Sequence, residues 1–496
     1  MHTKKERTAS RPRLAAARNR KGLPNLVRAP NHSDALRAED GSRSAAVTSR
    51  QTLDLLRKYE SRNVTFIERD GSWPIVWERA RGVHVWDAEG KRYLDLTAAF
   101  GVAAAGHANP RVVRAGQRQM ARLLHAMGDV HPHALKAKLA RELSRFTFER
   151  WTGMKSKVQG LKSKVREGPA QADTGKTIFC NSGFEAVEAA LKTALLATGK
   201  PRVIAFEGAY HGLGYGALNA THRRHFRFPF RSQLREFARF VTFPSQRAEL
   251  GPLEKEIRRR LRHEKIGAIL VEPIQVRSGI NIPPPEFLPM LRRVCDAHGV
   301  VLILDEIYTG FGRTGKWFAC EHSGVVPDVI CLGKALTGGF PLAASVGRAD
   351  LMDAAWPASS GEAIHTSTFL GHPVGCAMAL AQIKEIETNK LVPRSAALGQ
   401  FLLSSLSNLE PRPSTLDCAA RGLGLLAGVE LRRQDGSPAT ETALKLIKAM
   451  LHRGFILLPE GEHSNVISFT PPLVITEHQL TQTLRAFRTA LNIHSP

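Results

Sequence analysis

The 496-residue chain is short of cysteine, of acidic residues and of long apolar runs. Its six cysteines (Cys180, Cys295, Cys320, Cys331, Cys376 and Cys418) are scattered, with no CxxC pair. That excludes a disulfide framework and offers no thiolate metal motif, so no metal site is expected. Several of the six fall inside apolar stretches and read as reduced core residues of a cytoplasmic protein. No apolar run approaches the roughly 20 residues that span a bilayer, so no membrane partner is expected. No internal repeat stands out. Acid is scarce relative to base, 45 Asp and Glu against 70 Lys and Arg, which leaves a net charge of +25. Residues 1–50 hold 12 of the basic residues and 4 of the acidic ones with little apolar periodicity, and are expected to form a disordered basic tail. That tail shows no amphipathic repeat and no interleaved aromatics, so neither a transit peptide nor a nucleic-acid arm is the favoured reading. A second basic patch, Lys155 to Arg166, reads as an inserted surface loop, and Arg258-Arg259-Arg260 as the solvated face of a helix. With 43% hydrophobic and 23% charged residues, the remainder has the composition of an ordinary globular protein.

What the chain does have is a set of apolar strands that end in chemistry. Val329-Ile330-Cys331-Leu332 closes on Gly333-Lys334 and a glycine-rich turn, the way a chain presents a Schiff-base lysine; an ammonium there is costly unless it is paired or discharged. Val300 to Leu304 reads as a fully buried parallel strand closed by Asp305 and Glu306, and ligands of open α/β sheets bind at such carboxyl ends. Asp305 is suited to keep a pyridine nitrogen protonated. Thr177 to Cys180 runs into Asn181-Ser182-Gly183 and a helical stretch, a helix start able to hold a phosphate. Val203 to Phe206 leads to Tyr210-His211-Gly212, where the tyrosine ring could stack on a flat cofactor, and Ala268 to Val271 ends at Glu272. Each signal alone has a plainer reading. Lys334 serves equally as a surface lysine, Asp305 and Asn181-Ser182-Gly183 as helix caps, and Tyr210-His211 as filler.

Together the residues resemble the class III, fold type I aminotransferases that use pyridoxal phosphate, the group containing ornithine, acetylornithine and 4-aminobutyrate aminotransferases. The stretches that carry the resemblance are NSGFEAVEAALK from Asn181, YHG from Tyr210, EPIQ from Glu272, LDEIYTGFGRTG from Leu304, PDVICLGKALTGGFPLAA from Pro327 and HTSTFLGHPVGCAMALA from His365. It extends from about Trp86 to Pro472. It implies Lys334 as the internal aldimine and the base that moves the substrate proton, and Asp305 on the pyridine nitrogen. It implies Ser182, Gly183 and Phe184 at the phosphate, Tyr210 stacked on the ring beside His211, and Glu272 near substrate and cofactor. Thr368 would reach the phosphate of the other subunit of a homodimer. Four departures stand out. Phe184 occupies a position usually small or hydroxylic, Tyr308 replaces a glutamine near the cofactor's phenolic oxygen, and Val276-Arg277-Ser278 interrupts the commoner Gly-Glu-Gly. Ser468 stands where ornithine-type members carry an arginine for the substrate's α-carboxylate. Arg277 is then the candidate substitute cation, although a solvated loop arginine is the plainer reading.

The expected fold is α/β: a large, mainly parallel sheet covered by helices, plus a smaller α/β domain formed by the N- and C-terminal segments. The expected boundaries are a tail over 1–50, an N-terminal segment with a hairpin turning at Ala88 to Lys91 over 51–108, a large cofactor domain over 109–390, and a small domain over 391–496. Phe455 to Leu458 is expected to form one of the small domain's strands. The implied activity transfers an amino group from an amine or ω-amino acid donor to an oxo-acid acceptor. An aminomutase or decarboxylating transaminase on the same scaffold, or a non-catalytic basic binding protein, are the alternatives.

Overall fold

The computed structural model describes residues 48–155, 174–409 and 416–494. The expectations for the basic tail and for the Lys155–Arg166 patch lie almost wholly outside those residues. At the N-terminal end, the helix Ser49–Tyr59 is capped by Thr48, and Ser49 donates through both its N–H and its hydroxyl to Glu89.

Strands β1 (Trp77–Arg81), β2 (His84–Asp87) and β3 (Arg92–Asp95) form an antiparallel meander. Asp87 fixes the β2–β3 turn, its carboxylate accepting from the Lys91 N–H at 2.8 Å and from the Tyr93 hydroxyl at 2.7 Å. A seven-stranded sheet follows, made of β4 (Gly175–Cys180), β5 (Arg202–Phe206), β6 (Ala238–Val241), β7 (Ile266–Val271), β8 (Val301–Asp305), β9 (Val329–Leu332) and β10 (Ala343–Arg348), in the order β4-β10-β9-β8-β7-β5-β6. Adjacent pairs from β9 to β6 are parallel, and β10 is antiparallel to both of its neighbours. The reversal at β10 needs no crossover helix, because the chain turns straight back through the short segment that carries Lys334. The strands β7, β8 and β9 are buried along their whole length, as a sheet covered on both faces requires.

The remaining strands are β11 (Leu416–Leu423), β12 (Leu426–Arg433), β13 (Phe455–Ile456), β14 (Leu458–Glu460) and β15 (Val466–Phe469). The stretch expected as one strand from Phe455 to Leu458 is two. β13 pairs in parallel with β3, so that N- and C-terminal segments share a sheet, and β14 joins β15 at the edge of the sheet β11-β12-β15-β14. Buried Leu457 is the crossing point, and Pro459, which lacks an N–H to donate, is tolerated in β14 because that strand is an edge.

The architecture sets the site. β4, β5, β7, β8 and β9 run in one direction, so their carboxyl ends share one edge of the sheet. That edge therefore gathers Ser182, Tyr210, Glu272, Asp305 and Lys334 from five separate stretches of sequence. Among the described residues no helix is long and apolar enough to cross a membrane.

Candidate active site

At that edge lies a cavity of about 460 Å³ lined by, among others, Gly183, Phe184, Tyr210, His211, Glu272, Arg277, Asp305, Tyr308 and Lys334. Nine residues singled out in the sequence thus meet around one space. Three do not line it. Ser182 stands immediately behind Gly183; Thr368 is exposed, in the turn whose Ser367 hydroxyl accepts from the Asn181 amide at 3.2 Å; Ser468 is buried on β15.

Lys334 follows extended Gly333 and adopts φ +41°, a left-handed conformation that is strained for a residue with a side chain. Its Nζ stands 4.3 Å from the centre of the Tyr308 ring. Burial, opposed by the charges of Asp305 and Glu272, lowers the Lys334 amine to a pKa of about 8. A lysine so placed supplies a neutral amine at a pH where an exposed one is almost wholly protonated.

Asp305 and Glu306, the two acids that close β8, separate. Asp305 turns to the cavity, where its Oδ2 lies 2.8 Å from Nδ1 of fully buried His211 and its Oδ1 accepts from the Ile307 N–H at 3.1 Å. Glu306 points away and is wholly consumed by structure. It accepts from the N–H groups of Ala319 and Cys320 and from the Thr309 hydroxyl, and burial raises its carboxyl to about 7.

Glu272 accepts from the Tyr210 N–H at 2.9 Å, which fixes the start of the Tyr210 loop, and burial raises its carboxyl to about 7. The Tyr210 ring is flanked by Phe226 at 5.5 Å and by the Arg277 guanidinium at 5.7 Å. The 16-residue helix Gly183–Thr198 begins at the cavity, which its first two residues, Gly183 and Phe184, line. The Glu185 carboxylate holds the Asn181 and Ser182 N–H groups in place, while the buried Ser182 hydroxyl has no partner beyond the Glu185 N–H of its own capping box. A side chain at Gly183 would put its Cβ 2.9 Å from Ile307 Cδ1, so glycine lets the helix start sit against Ile307 without displacing it. Tyr308 packs between Lys334 and Thr470, and burial pushes its hydroxyl to about 12.

Two relationships escaped the sequence. Asp305 and His211 both stood out there, but their pairing across 94 positions did not. Glu460 holds Arg277 from a strand 183 residues away. An acid closing the apolar run into β14 is the same signal that drew attention to Glu272, so Glu460 was within reach of the same reasoning.

Comparison with known proteins gives the family. Residues 66–491 match the family model for class III aminotransferases. The chain belongs to the class III aminotransferase family. It is 35% identical to an acetylornithine aminotransferase of Methanosarcina mazei over 410 residues, 83% of this chain and 90% of that one. It is 34% identical to a putrescine aminotransferase of Pectobacterium atrosepticum over 473 residues, 93% of this chain and 92% of that one. Among solved structures, an (S)-enantioselective omega-transaminase from Thermomicrobium roseum superimposes with a TM-score of 0.78 at 27% identity, covering 90% of this chain and 99% of that one.

The protein is a pyridoxal-phosphate-dependent aminotransferase, and the aminomutase, decarboxylase and non-catalytic readings are not favoured. The residues present fit the cofactor. The buried Ser182 hydroxyl at the head of a long helix suits a phosphate, and a lysine of lowered basicity in one cavity with an anchored carboxylate suits a pyridine aldehyde.

Proposed function

We propose that this aminotransferase works through Lys334 as the amine that anchors the cofactor and carries the substrate's proton at Nζ, on an amine or ω-amino acid donor and an oxo-acid acceptor. The observation that supports this most strongly is Lys334 itself, held in a left-handed turn at the end of β9 with its amine lowered to about 8 in the cavity of Asp305 and Glu272. Pyridoxal phosphate supplies an electron-withdrawing ring to the nitrogen of the substrate. Asp305 would pair with that ring's nitrogen, and His211 holds Asp305 in place. Tyr210 would stack on the ring, and the Tyr308 ring packs against the lysine amine. The Ser182 hydroxyl and the amides of Gly183 and Phe184 would hold the phosphate, with Phe184 contributing only its backbone. Glu272 borders the space where the substrate enters.

In the neighbouring subunit of a homodimer, Thr368 would supply a further phosphate contact. Exposed Leu124, Met127, Val130, Ile364 and Phe369 support such a face, since Thr366 bonds Asp129 and brings the two segments together. The compartment is the cytoplasm, in keeping with six free cysteines, five of them buried.

Donor choice follows from Ser468 and Arg277. Ser468 brings no cation to the place where the ornithine-type arginine would stand, and among the described residues Arg277 is the one arginine lining the cavity. A carboxylate bound in the ornithine-type pose would lack its partner, at a cost of about 3–5 kcal/mol. The donor is therefore an amine or ω-amino acid whose carboxylate, where it has one, reaches Arg277. A donor panel tests this. Preference for ω-amino acids or primary amines over acetylornithine is expected, and acetylornithine turning over as fast as the best of them would refute it.

A further inference from the structure

Tyr308, expected beside the cofactor's phenolic oxygen, turns its hydroxyl elsewhere. The hydroxyl meets Thr470 Oγ1 at 3.4 Å, and Thr470 donates in turn to the Thr97 carbonyl at 3.2 Å; neither threonine lines the cavity. What Tyr308 offers the cavity is its ring face, and Lys334 Nζ stands over that face, 4.3 Å from its centre. Among the described residues Nζ forms no hydrogen bond and no ion pair, so the ring is the group it meets. The ring is also clamped. It packs in a buried cluster with Ile274, Val276, Ile280 and Leu426, and Gly101, at φ +81°, approaches so closely that a Cβ there would lie 3.0 Å from Tyr308 Cε1.

A lysine that carries the donor's proton must exist in two charge states in one place. Taking the proton breaks a C–H bond of the donor, forms an N–H bond at Nζ and leaves the electron pair with the donor carbon, so a neutral amine becomes a buried ammonium. Burial opposes that change, as does the Arg277 guanidinium, while the carboxylates of Asp305, Glu272 and Glu460 favour it. None of those acids is in contact with Nζ. An aromatic face attracts a cation and has no comparable hold on a neutral amine, which in a desolvated site amounts to about one pH unit in the amine's titration. A carboxylate seated there would pair with the ammonium and hold its proton against return, and an aliphatic side chain would leave the ammonium without a partner. The ring lies between those extremes, and its clamp keeps the face where Nζ needs it.

We propose that Tyr308 is a positioning residue for proton transfer: its clamped ring face is the seat on which Lys334 holds the ammonium form after taking the donor's proton. This rests on the reading of Lys334 as the proton carrier. The test drains charge from the ring face at constant size, by Tyr308→Phe followed by phenylalanine carrying one, two and three ring fluorines at the same position. In cofactor-free protein, trinitrophenylation with peptide mapping reads the apparent pKa of Lys334 in each. Tyr308→Phe is expected to stay near wild type, and the fluorinated series to fall stepwise, by about one pH unit from first to last. A merely structural ring would leave the series flat, since size and packing are kept, and a flat series overturns the proposal. In the holoenzyme, single-turnover transfer from the best donor of the panel, deuterated at the carbon that bears nitrogen so that proton transfer is the slow step, is expected to slow in the same order. A rate constant that does not change along the series also overturns the proposal, because the ring would then set the amine's charge without serving the reaction. Borohydride reduction of the wild-type holoenzyme separates the two readings. Cofactor found on another lysine removes Lys334 and this proposal together; cofactor on Lys334 with a flat series leaves Lys334 in place and removes the role of the ring alone.

Discussion

Nδ1 of His211 lies 2.8 Å from Oδ2 of Asp305, and both side chains are buried in the wall of the cavity. An ionised carboxylate can only accept, so the imidazole must present Nδ1–H to it. Asp305→Asn should lower turnover by roughly 10- to 100-fold or more, since a hydrogen bond to a charged group is worth about 1.5–3 kcal/mol even before any effect on the cofactor ring. His211→Asn, whose amide can still donate, should retain more activity than His211→Leu. Wild-type rates in Asp305→Asn would remove the carboxylate from the mechanism.

The Lys334 amine carries a pH signature. Its pKa in the folded protein is lowered to about 8, against an ordinary value of 10.5, chiefly by burial. In cofactor-free protein the neutral amine is therefore scarce below pH 8 and dominant above it, whereas exposed lysines stay protonated past pH 10. Trinitrophenylation followed by peptide mapping should show Lys334 reacting with an apparent pKa near 8. Labelling that rises only above pH 10 would contradict the lowered value.

Gly212 has φ +107°, and a Cβ there would lie 2.4 Å from the Cβ of Phe184. Gly212→Ala should accordingly destabilise the protein by about 1–3 kcal/mol through strain and overpacking, and weaken cofactor binding if Phe184 heads the helix proposed to hold the phosphate. Thermal denaturation with and without cofactor checks both effects. An unchanged melting temperature would mean that the helix start is not packed as described.

Removal of residues 1–47 should leave cofactor binding and activity nearly unchanged, because the family match begins at residue 66 and the first described helix is capped by Thr48. Cutting further, through Ser49, removes that cap and both donors to Glu89, and should cost about 0.5–2 kcal/mol. A shorter truncation that lost the cofactor would show that the basic segment supports the body of the enzyme.

The five strand ends that build the site were legible because a buried parallel strand is an uninterrupted apolar run, and a polar side chain at its end stands out against it. Strand direction was not legible in the same way. Nothing in the apolar pattern of Ala343–Arg348 distinguishes an antiparallel β10 from a parallel strand, and only the shortness of the turn through Lys334 bears on it. The strand Trp77–Arg81 went unseen because it is mostly exposed and carries no alternation. The partition of Phe455 to Leu458 between two sheets is a tertiary matter, since the same apolar run serves either neighbour. Arg277 was flagged as a cation out of place, but its meaning depends on Glu460, and a pairing across 183 positions leaves no local trace. Ser468 drew attention by what it replaces, and its burial on β15 off the cavity lining confines its part to the charge it fails to bring.

The central claim is that Lys334 is the residue that holds the cofactor, and reduction of the holoenzyme with borohydride followed by peptide mass spectrometry tests it most directly. The account predicts the pyridoxyl phosphate mass on the peptide containing Lys334, and no covalent cofactor in Lys334→Ala although that variant still binds pyridoxal phosphate. The label on any other lysine, or its persistence in Lys334→Ala, would contradict it.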